Sequence, residues 1–520
     1  MRKWPRYWGG VVATAGLLGL ATRADGETCS LELKKVETTS SSRENYIFQA
    51  TYPHSFSMPI SAGIRFGQQD DLPEFVDVIK KEPDQYQAKQ PVRGVIKLGS
   101  QHFGYVLDSS VKGADEEVEK KETEEADTRQ EGGLLLQLGR MLFGSKKGPK
   151  DKKSFQAVPY DRLYFDRNHN GDLTDEEVVK ARSTDSDSTH NYFATSFPRI
   201  DVPIEVDSTQ LDYAFTLRVT AYGSGNHAYL SGSVNSATYR EGEITLGDKK
   251  HRLVLLDFNS NGRFDDKPAI NTSVRAPDGR LFRTYGDRLY IDPDLKNRSR
   301  NPYGPATDDD LYDVSKLIHL DGRFYELSVS PAGDKLSLEP SNTAVGYVSN
   351  PNEGFRAVVY GEQGFMKVRS DESGKFPLPI GKWKLEAYTI DRTGMLEPKK
   401  AELASERSIL GVLTEVLGPT TEARAPRSTS VSANATMKYN AVEVKEGETA
   451  ELPFGPPYRP AVDVQYRQGT NTVSLGLALV GVADEICSNM QIAGQRPGKP
   501  SFTITTSDGN TVAEGEFEYG

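Results

Sequence analysis

The sequence predicts a mainly β, multi-domain protein in which β-hairpin modules are followed by two small β-sandwiches. Three observations carry that reading. Short apolar runs alternate with polar residues and end at Gly, Pro, Asn or Asp, the pattern of half-buried strands between turns. A hairpin phrase at residues 93–99 and 103–108 (Arg-Gly-Val-Ile-Lys-Leu-Gly, then Phe-Gly-Tyr-Val-Leu-Asp) returns with a one-residue offset at 241–247 and 251–257. A third hairpin, 317–320 and 323–329, turns on Asp321-Gly322, a pair suited to a two-residue turn. At 520 residues, three or four domains of roughly 100–200 residues each are expected.

In chain order, Arg2, Lys3 and Arg6 precede an apolar run at 11–21, and Thr22-Arg23-Ala24 offers small residues for cleavage. Residues 1–24 therefore read as a signal peptide, and the protein as exported to the periplasm, the cell surface or the medium. Glu27 and Thr28 before Cys29 do not make a lipidation signal. No other segment approaches the ~20 apolar residues that a transmembrane helix needs. Loss of Arg2, Lys3, Arg6 and Arg23 moves the formal charge from -11 to -15. So acidic a chain excludes nucleic acid as a partner and favours cations. Cys29 and Cys487 leave two readings open, a disulfide between the chain's ends or two small buried residues.

Residues 25–112 form the N-terminal β module. A charged, low-complexity insertion follows at 113–153, with eight acidic residues between Asp115 and Asp127, an apolar run at 134–143 and a lysine-rich end. Its acidic part reads as solvated chain and its apolar part as a short helix packed on its own domain.

The next module or modules, 154–340, contain the most informative stretch of the chain. Residues 166–177 read Asp-Arg-Asn-His-Asn-Gly-Asp-Leu-Thr-Asp-Glu-Glu. Calcium takes six to eight oxygens, and a twelve-residue loop supplies them from positions 1, 3, 5, 7, 9 and 12 around a turn at Gly in position 6. Here those ligands are Asp166, Asn168, Asn170, the carbonyl of Asp172, Thr174 and Glu177, with Gly171 at the turn and Leu173 as apolar anchor. The loop resembles EF-hand-type calcium loops, a resemblance that covers twelve residues and implies Ca2+ as the bound ion. Its flanks depart from that family, with Pro159 and the β-like Leu163-Tyr164-Phe165 before it and a short helix expected after Glu177. Without two long helices to swing apart, a sensor role is not expected. His169 is expected to point to solvent.

A second loop, 257–266, repeats the pattern after another β-like run. Asp257, Asn259, Asn261, the carbonyl of Arg263 and Asp265 are its expected ligands. Position 12 is Pro268, so Asp265 or Asp266 must close the shell; the alternative is a metal-free turn in which Asx side chains bond the backbone. The loops lie 91 residues apart. The phrases at 161–166 and 287–292, Asp-Arg-Leu-Tyr-Phe-Asp and Asp-Arg-Leu-Tyr-Ile-Asp, add to the repeat. The hairpin modules thus read as related units in which a calcium loop caps a strand. The run Asp308-Asp309-Asp310 reads as an exposed loop.

In 341–417 the run from Gly374 to Tyr388 places Trp383, Leu385 and Ala387 on one strand face. It resembles the transthyretin-like carboxypeptidase regulatory-like domain, which implies a non-catalytic β-sandwich. A Pro/Thr/Ser/Ala-rich linker at 418–432 leads to a C-terminal β-sandwich at 433–520. The whole order resembles uncharacterised exported multi-domain β proteins of planctomycete-type bacteria, and that resemblance carries no activity.

No catalytic motif is present: no His-Glu-x-x-His, no Gly-x-Ser-x-Gly and no phosphate-binding Gly-x-x-x-x-Gly-Lys. Seven histidines are scattered, and Gly223-Ser224-Gly225-Asn226-His227 reads as a turn. The expected function is an exported, non-catalytic calcium-binding protein whose β modules serve extracellular binding or scaffolding of a protein or glycan partner. One alternative is a calcium-dependent adhesin or glycan binder, marked by exposed aromatics at Tyr164 or Phe258. Another is a carboxylate-based hydrolase with a deep acidic cleft.

Overall fold

The computed structural model describes residues 26–36, 54–59, 64–65, 72–111, 157–189, 191–224, 227–274, 276, 278–294, 309–370, 373–393, 427–467 and 472–519. The expected signal peptide, the insertion at 113–153 and most of the linker at 418–432 lie outside these residues. What is described is almost entirely antiparallel β structure, with one helical turn at Phe75–Val78. Among the described residues no helix is long and apolar enough to cross a membrane.

The repeated phrase forms two sheets of the same plan. Val92–Leu98 and Gln101–Asp108 pair from Leu98↔Gln101, which leaves the two-residue turn Gly99-Ser100 with Gly99 at φ 59°. Thr238–Leu246 and Lys249–Leu256 pair from Leu246↔Lys249 around Gly247 at φ 62°. Each hairpin adds the Leu-Tyr strand on its second arm: Arg162–Phe165 on the first, Arg288–Ile291 on the second. The registers agree, with Leu107↔Leu163 and Val106↔Tyr164 matching Leu255↔Leu289 and Val254↔Tyr290. Asp166 N donates to the Gly104 carbonyl as Asp292 N donates to that of Arg252. A short strand closes each sheet, Val179–Lys180 in the first and Leu311–Asp313 in the second.

Val179–Lys180 stands where a short helix was expected after Glu177. Its β-branched Val179 packs against the first core and pairs with Leu163, so tertiary pairing overrides a two-turn helix too short to hold alone.

Besides the small pair Ala269–Asn271 and Phe282–Thr284, this half has two more sheets. One is built on the sixteen-residue strand Thr209–Ser224, which pairs with Ile200–Val206, Tyr192–Ser196 and His227–Ser236. The other joins Glu27–Ser30 to Lys335–Pro340, Arg323–Val329 and Leu317–Leu320. One hydrophobic core runs through all four sheets, from Leu31 through Phe103, Phe165 and Phe215 to Leu289 and Leu336. Phe103 and Phe165 stack at 5.7 Å, and Phe215 lies 5.3 Å from Phe165. Each such ring contributes about 1.5–3 kcal/mol by burial. The boundaries expected at 112 and 154 therefore do not separate cores, because small one-faced sheets gain most by burying those faces together.

The second half shares one further core, built on Trp383, Leu385, Tyr388, Phe355 and Phe454. Gly381–Asp391 pairs with Ser430–Asn434, which pairs with Ile486–Gln491, so the two expected sandwiches meet in one continuous sheet. The hairpin at 317–329 serves both halves: Ile318 and Leu320 face the first core, Leu317 and Phe324 the second. Arg283 adds a partly buried ion triad with Asp313 and Glu386. Cys29 packs against the first core and Cys487 against the second, and both are free thiols.

Candidate functional site

The first loop begins where Arg162–Phe165 ends. Asp166 is buried, and its two carboxylate oxygens accept the N–H groups of Asn170 at 3.0 Å and Gly171 at 3.1 Å. Those bonds turn the chain through His169 at φ 57° and Gly171 at φ 75°. Glycine is required at 171, since a Cβ there would meet the Val78 carbonyl at 2.8 Å. The Gly171 carbonyl accepts Lys80 N and Lys81 N, and buried Leu173 donates its N–H to the Lys81 carbonyl. The loop is thus stitched to the segment after the Phe75–Val78 turn.

The second loop begins where Lys249–Leu256 ends and follows the same path. Asp257 is wholly buried and accepts Asn261 N at 3.1 Å and Gly262 N at 2.8 Å. Ser260 stands at φ 60° and Gly262 at φ 84°, matching positions 4 and 6 of the first loop. Phe264, equivalent to Leu173, is also wholly buried. In both loops the position-5 oxygen accepts the N–H of position 7: Asn170 from Asp172 at 2.7 Å, Asn261 from Arg263 at 2.8 Å.

The amide nitrogens of positions 3 and 5 converge in both loops on the carboxylate at position 10. Asn168 and Asn170 reach Asp175 Oδ2 at 3.4 and 2.8 Å; Asn259 and Asn261 reach Asp266 Oδ2 at 3.1 and 2.7 Å. Of the expected ligands, Asp166, Asn168 and Asn170 are thus gathered in the first loop, and Asp257, Asn259 and Asn261 in the second. The others stand apart. Glu177 is exposed, and its carbonyl accepts the Arg167 guanidinium, while Glu176 turns back to accept Asn168 N. The Thr174 hydroxyl donates to the Asp172 carboxylate, which also pairs with Lys81. Asp265 is taken by the Arg263 guanidinium. Asp175 and Asp266 were signalled in the sequence, because aligning the loops puts Asp at position 10 of each.

The surroundings differ. Lys81 beside Asp172 holds that carboxyl down at about 2. Burial raises the Asp166 carboxyl above its usual range, against the pull of the Gly171 and Asn170 N–H groups. The second loop receives two groups from far along the chain. The Tyr213 hydroxyl donates to Asp257 at 2.6 Å, and wholly buried Asp287 accepts Phe258 N at 3.0 Å and Asp266 N at 2.8 Å. Burial pushes the Asp257 carboxyl up to about 7, and it pushes Asp287 well above the carboxylate range, with the charges of Asp257 and Asp266 adding to the effect.

In both loops the amide nitrogens face the position-10 carboxylate and the position-5 amide oxygens are taken by backbone N–H groups, so it is the carboxylate oxygens that suit a hard cation such as calcium. His169 is exposed, as expected, and also touches the first hairpin. Its Nε2 lies 3.1 Å from the His102 carbonyl and its ring 5.1 Å from Phe103. Among the described residues no three His, Cys, Asp or Glu side chains form a ready cation cage; half of the candidate donors here are asparagines. Tyr164 and Phe258, the aromatics named for ligand contact, are buried, Tyr164 against Tyr86 and Phe258 beneath Arg288. An open cleft of about 410 Å³ beside the first loop mixes Arg167, Lys180 and Arg199 with Glu177 and Asp201. No protein-family model, curated protein or solved structure matches this chain.

Proposed function

We propose that both loops bind calcium and that the protein is an exported, non-catalytic scaffold whose N-terminal sheets calcium stabilises. The observation that carries this reading is the shared hydrogen-bond pattern. Two loops 91 residues apart place Asp, Asn, Asn, Gly and Asp at positions 1, 3, 5, 6 and 10 and use the two carboxylates and the two amide nitrogens in the same way. A turn that needed only to reverse the chain would not require a second carboxylate at position 10 facing both amides.

Burial of the first aspartate supports the same reading. A buried carboxylate needs a counter-charge or a proton, and the second loop adds Asp287 to that need. Asp166, Asn168, Asn170 and Asp175 would hold calcium in the first loop, and Asp257, Asn259, Asn261 and Asp266 in the second. The bound ion would supply positive charge to carboxylates that now face only N–H and O–H groups. At a free concentration 100-fold above the dissociation constant, it would stabilise the fold by about 2.7 kcal/mol.

The test is thermal unfolding of the chain in calcium and in chelator, with calorimetric titration of calcium. The expected result is a Tm about 5 °C or more higher in calcium, with saturable binding. Equal Tm values together with no heat of binding would overturn the reading.

A further inference from the structure

We propose that the ribbon formed by Arg459–Arg467 and Thr472–Val480 is a docking surface for a second copy of this chain. Side chains alternate across the two strands, so their register sorts them by face. One face carries Pro460 opposite Leu479, Val462 opposite Leu477, Val464 opposite Leu475 and Tyr466 opposite Val473. The other carries Ala461 opposite Ala478, Asp463 opposite Gly476 and Gln465 opposite Ser474, with Gln465 Nε2 donating to Asp463 at 2.8 Å. A ribbon with this alternation ordinarily buries its apolar face. Here that face is open: Val462 and Val473 are each 53% exposed, Val464 62% and Tyr466 65%.

The apolar face continues the side of the sheet on which the second core lies. Tyr458, two residues before Pro460, shares a hydroxyl hydrogen bond of 3.0 Å with the core residue Tyr388. Among the described residues, none of the eight apolar side chains of the ribbon joins that core. Area, charge and shape all point to a second copy as the cover. The eight side chains leave roughly 500–600 Å² open on each copy, so two facing ribbons bury about 1,100 Å², enough for a specific interface. That face carries no charged residue, so two chains of net charge -11 can meet there without opposing like charges. A two-fold axis across the middle of the ribbon sets the tip of each copy over the foot of the other. Tyr466 of the second copy then lies over Pro460 and Leu479, beside an open apolar cleft of about 220 Å³ lined by Pro456, Tyr458, Met490 and Ile492. Pairing along the outer edge is less suited. Arg459–Arg467 ends its sheet, but Pro460 has no N–H to give and Asp463 sits at the strand's centre, and both blunt an edge.

The experiment is sedimentation equilibrium of the full chain over about 1–100 μM, repeated on Val464→Asp, Tyr466→Ala and Ser474→Asp. All three positions are exposed, so the replacements leave the fold intact, and circular dichroism checks this. A monomer–dimer equilibrium is expected for the natural chain. Val464→Asp should raise its dissociation constant about 100-fold or more and Tyr466→Ala about tenfold, while Ser474→Asp on the polar face should change it less than about twofold. A monomer throughout that range, a dimer that Val464→Asp leaves intact, or one that Ser474→Asp weakens equally would overturn the proposal. A monomer that floats with phosphatidylcholine vesicles, and no longer does so as Val464→Asp, would also overturn it and assign the face to a lipid surface.

Discussion

The two loops share a backbone and differ in what surrounds it. In the first, Asn168, Asn170, Thr174 and Asp175 are exposed and bonded from within the loop, and Lys81 pairs with Asp172. In the second, Asp257 is wholly buried and is held by Tyr213 from another sheet, with Asp287 beside it. The difference teaches that a short pattern can specify a loop's path while the packing around it decides how much the fold depends on the loop's charge.

The largest expected effect tests that dependence. In calcium, Asp257→Ala should cost roughly 3–5 kcal/mol, because it strands the Tyr213 hydroxyl and two N–H groups in a buried place. Asp166→Ala strands two N–H groups at a more open site and should cost about half as much. Denaturant midpoints at constant m-value check this, and equal losses would break the comparison.

A pH series in chelator sharpens it. The Asp257 carboxyl rises from near 3.8 to about 7 on folding, so the folded protein holds a proton that the unfolded chain releases. Stability of the metal-free protein should therefore fall as pH climbs from about 4 to about 7. Asp166 contributes in the same direction. Saturating calcium, which takes the deprotonated carboxylates, should flatten the fall. Urea midpoints measured across this range with and without calcium decide it, and a metal-free protein that gained stability over the same range would contradict the assignment.

The smallest effect concerns which carboxylate closes the first loop. Asp175→Asn should weaken calcium at that loop by about tenfold, or 1.4 kcal/mol, while Glu177→Gln should change it less than about twofold. The reverse order in calorimetric titration would restore the position-12 glutamate as the closing ligand.

Much of this was legible in the chain itself. The hairpins could be read because their turns need particular residues: Asp321-Gly322 stands at φ 48° and 79°, and Gly99 and Gly247 at φ 59° and 62°. The loops could be read because Gly171 and Gly262 are required by both conformation and space. Asp175 and Asp266 were visible only by aligning one loop with the other. Tyr213 carried no local signal, and Asp287 was visible only as the start of the repeated phrase at 287–292, since each reaches the second loop from a different strand or turn.

The sequence by itself determined the strands, their turns and the two loop paths, because these follow from steric limits and hydrogen bonds among residues a few positions apart. Only the tertiary structure decided that four sheets share one core, that Val179–Lys180 is a strand, that Cys29 and Cys487 lie in different cores, and that both loops grip one hairpin tip. Those outcomes depend on which apolar faces bury one another. Burial is non-directional and acts between residues at any separation, so a local pattern does not encode its partner.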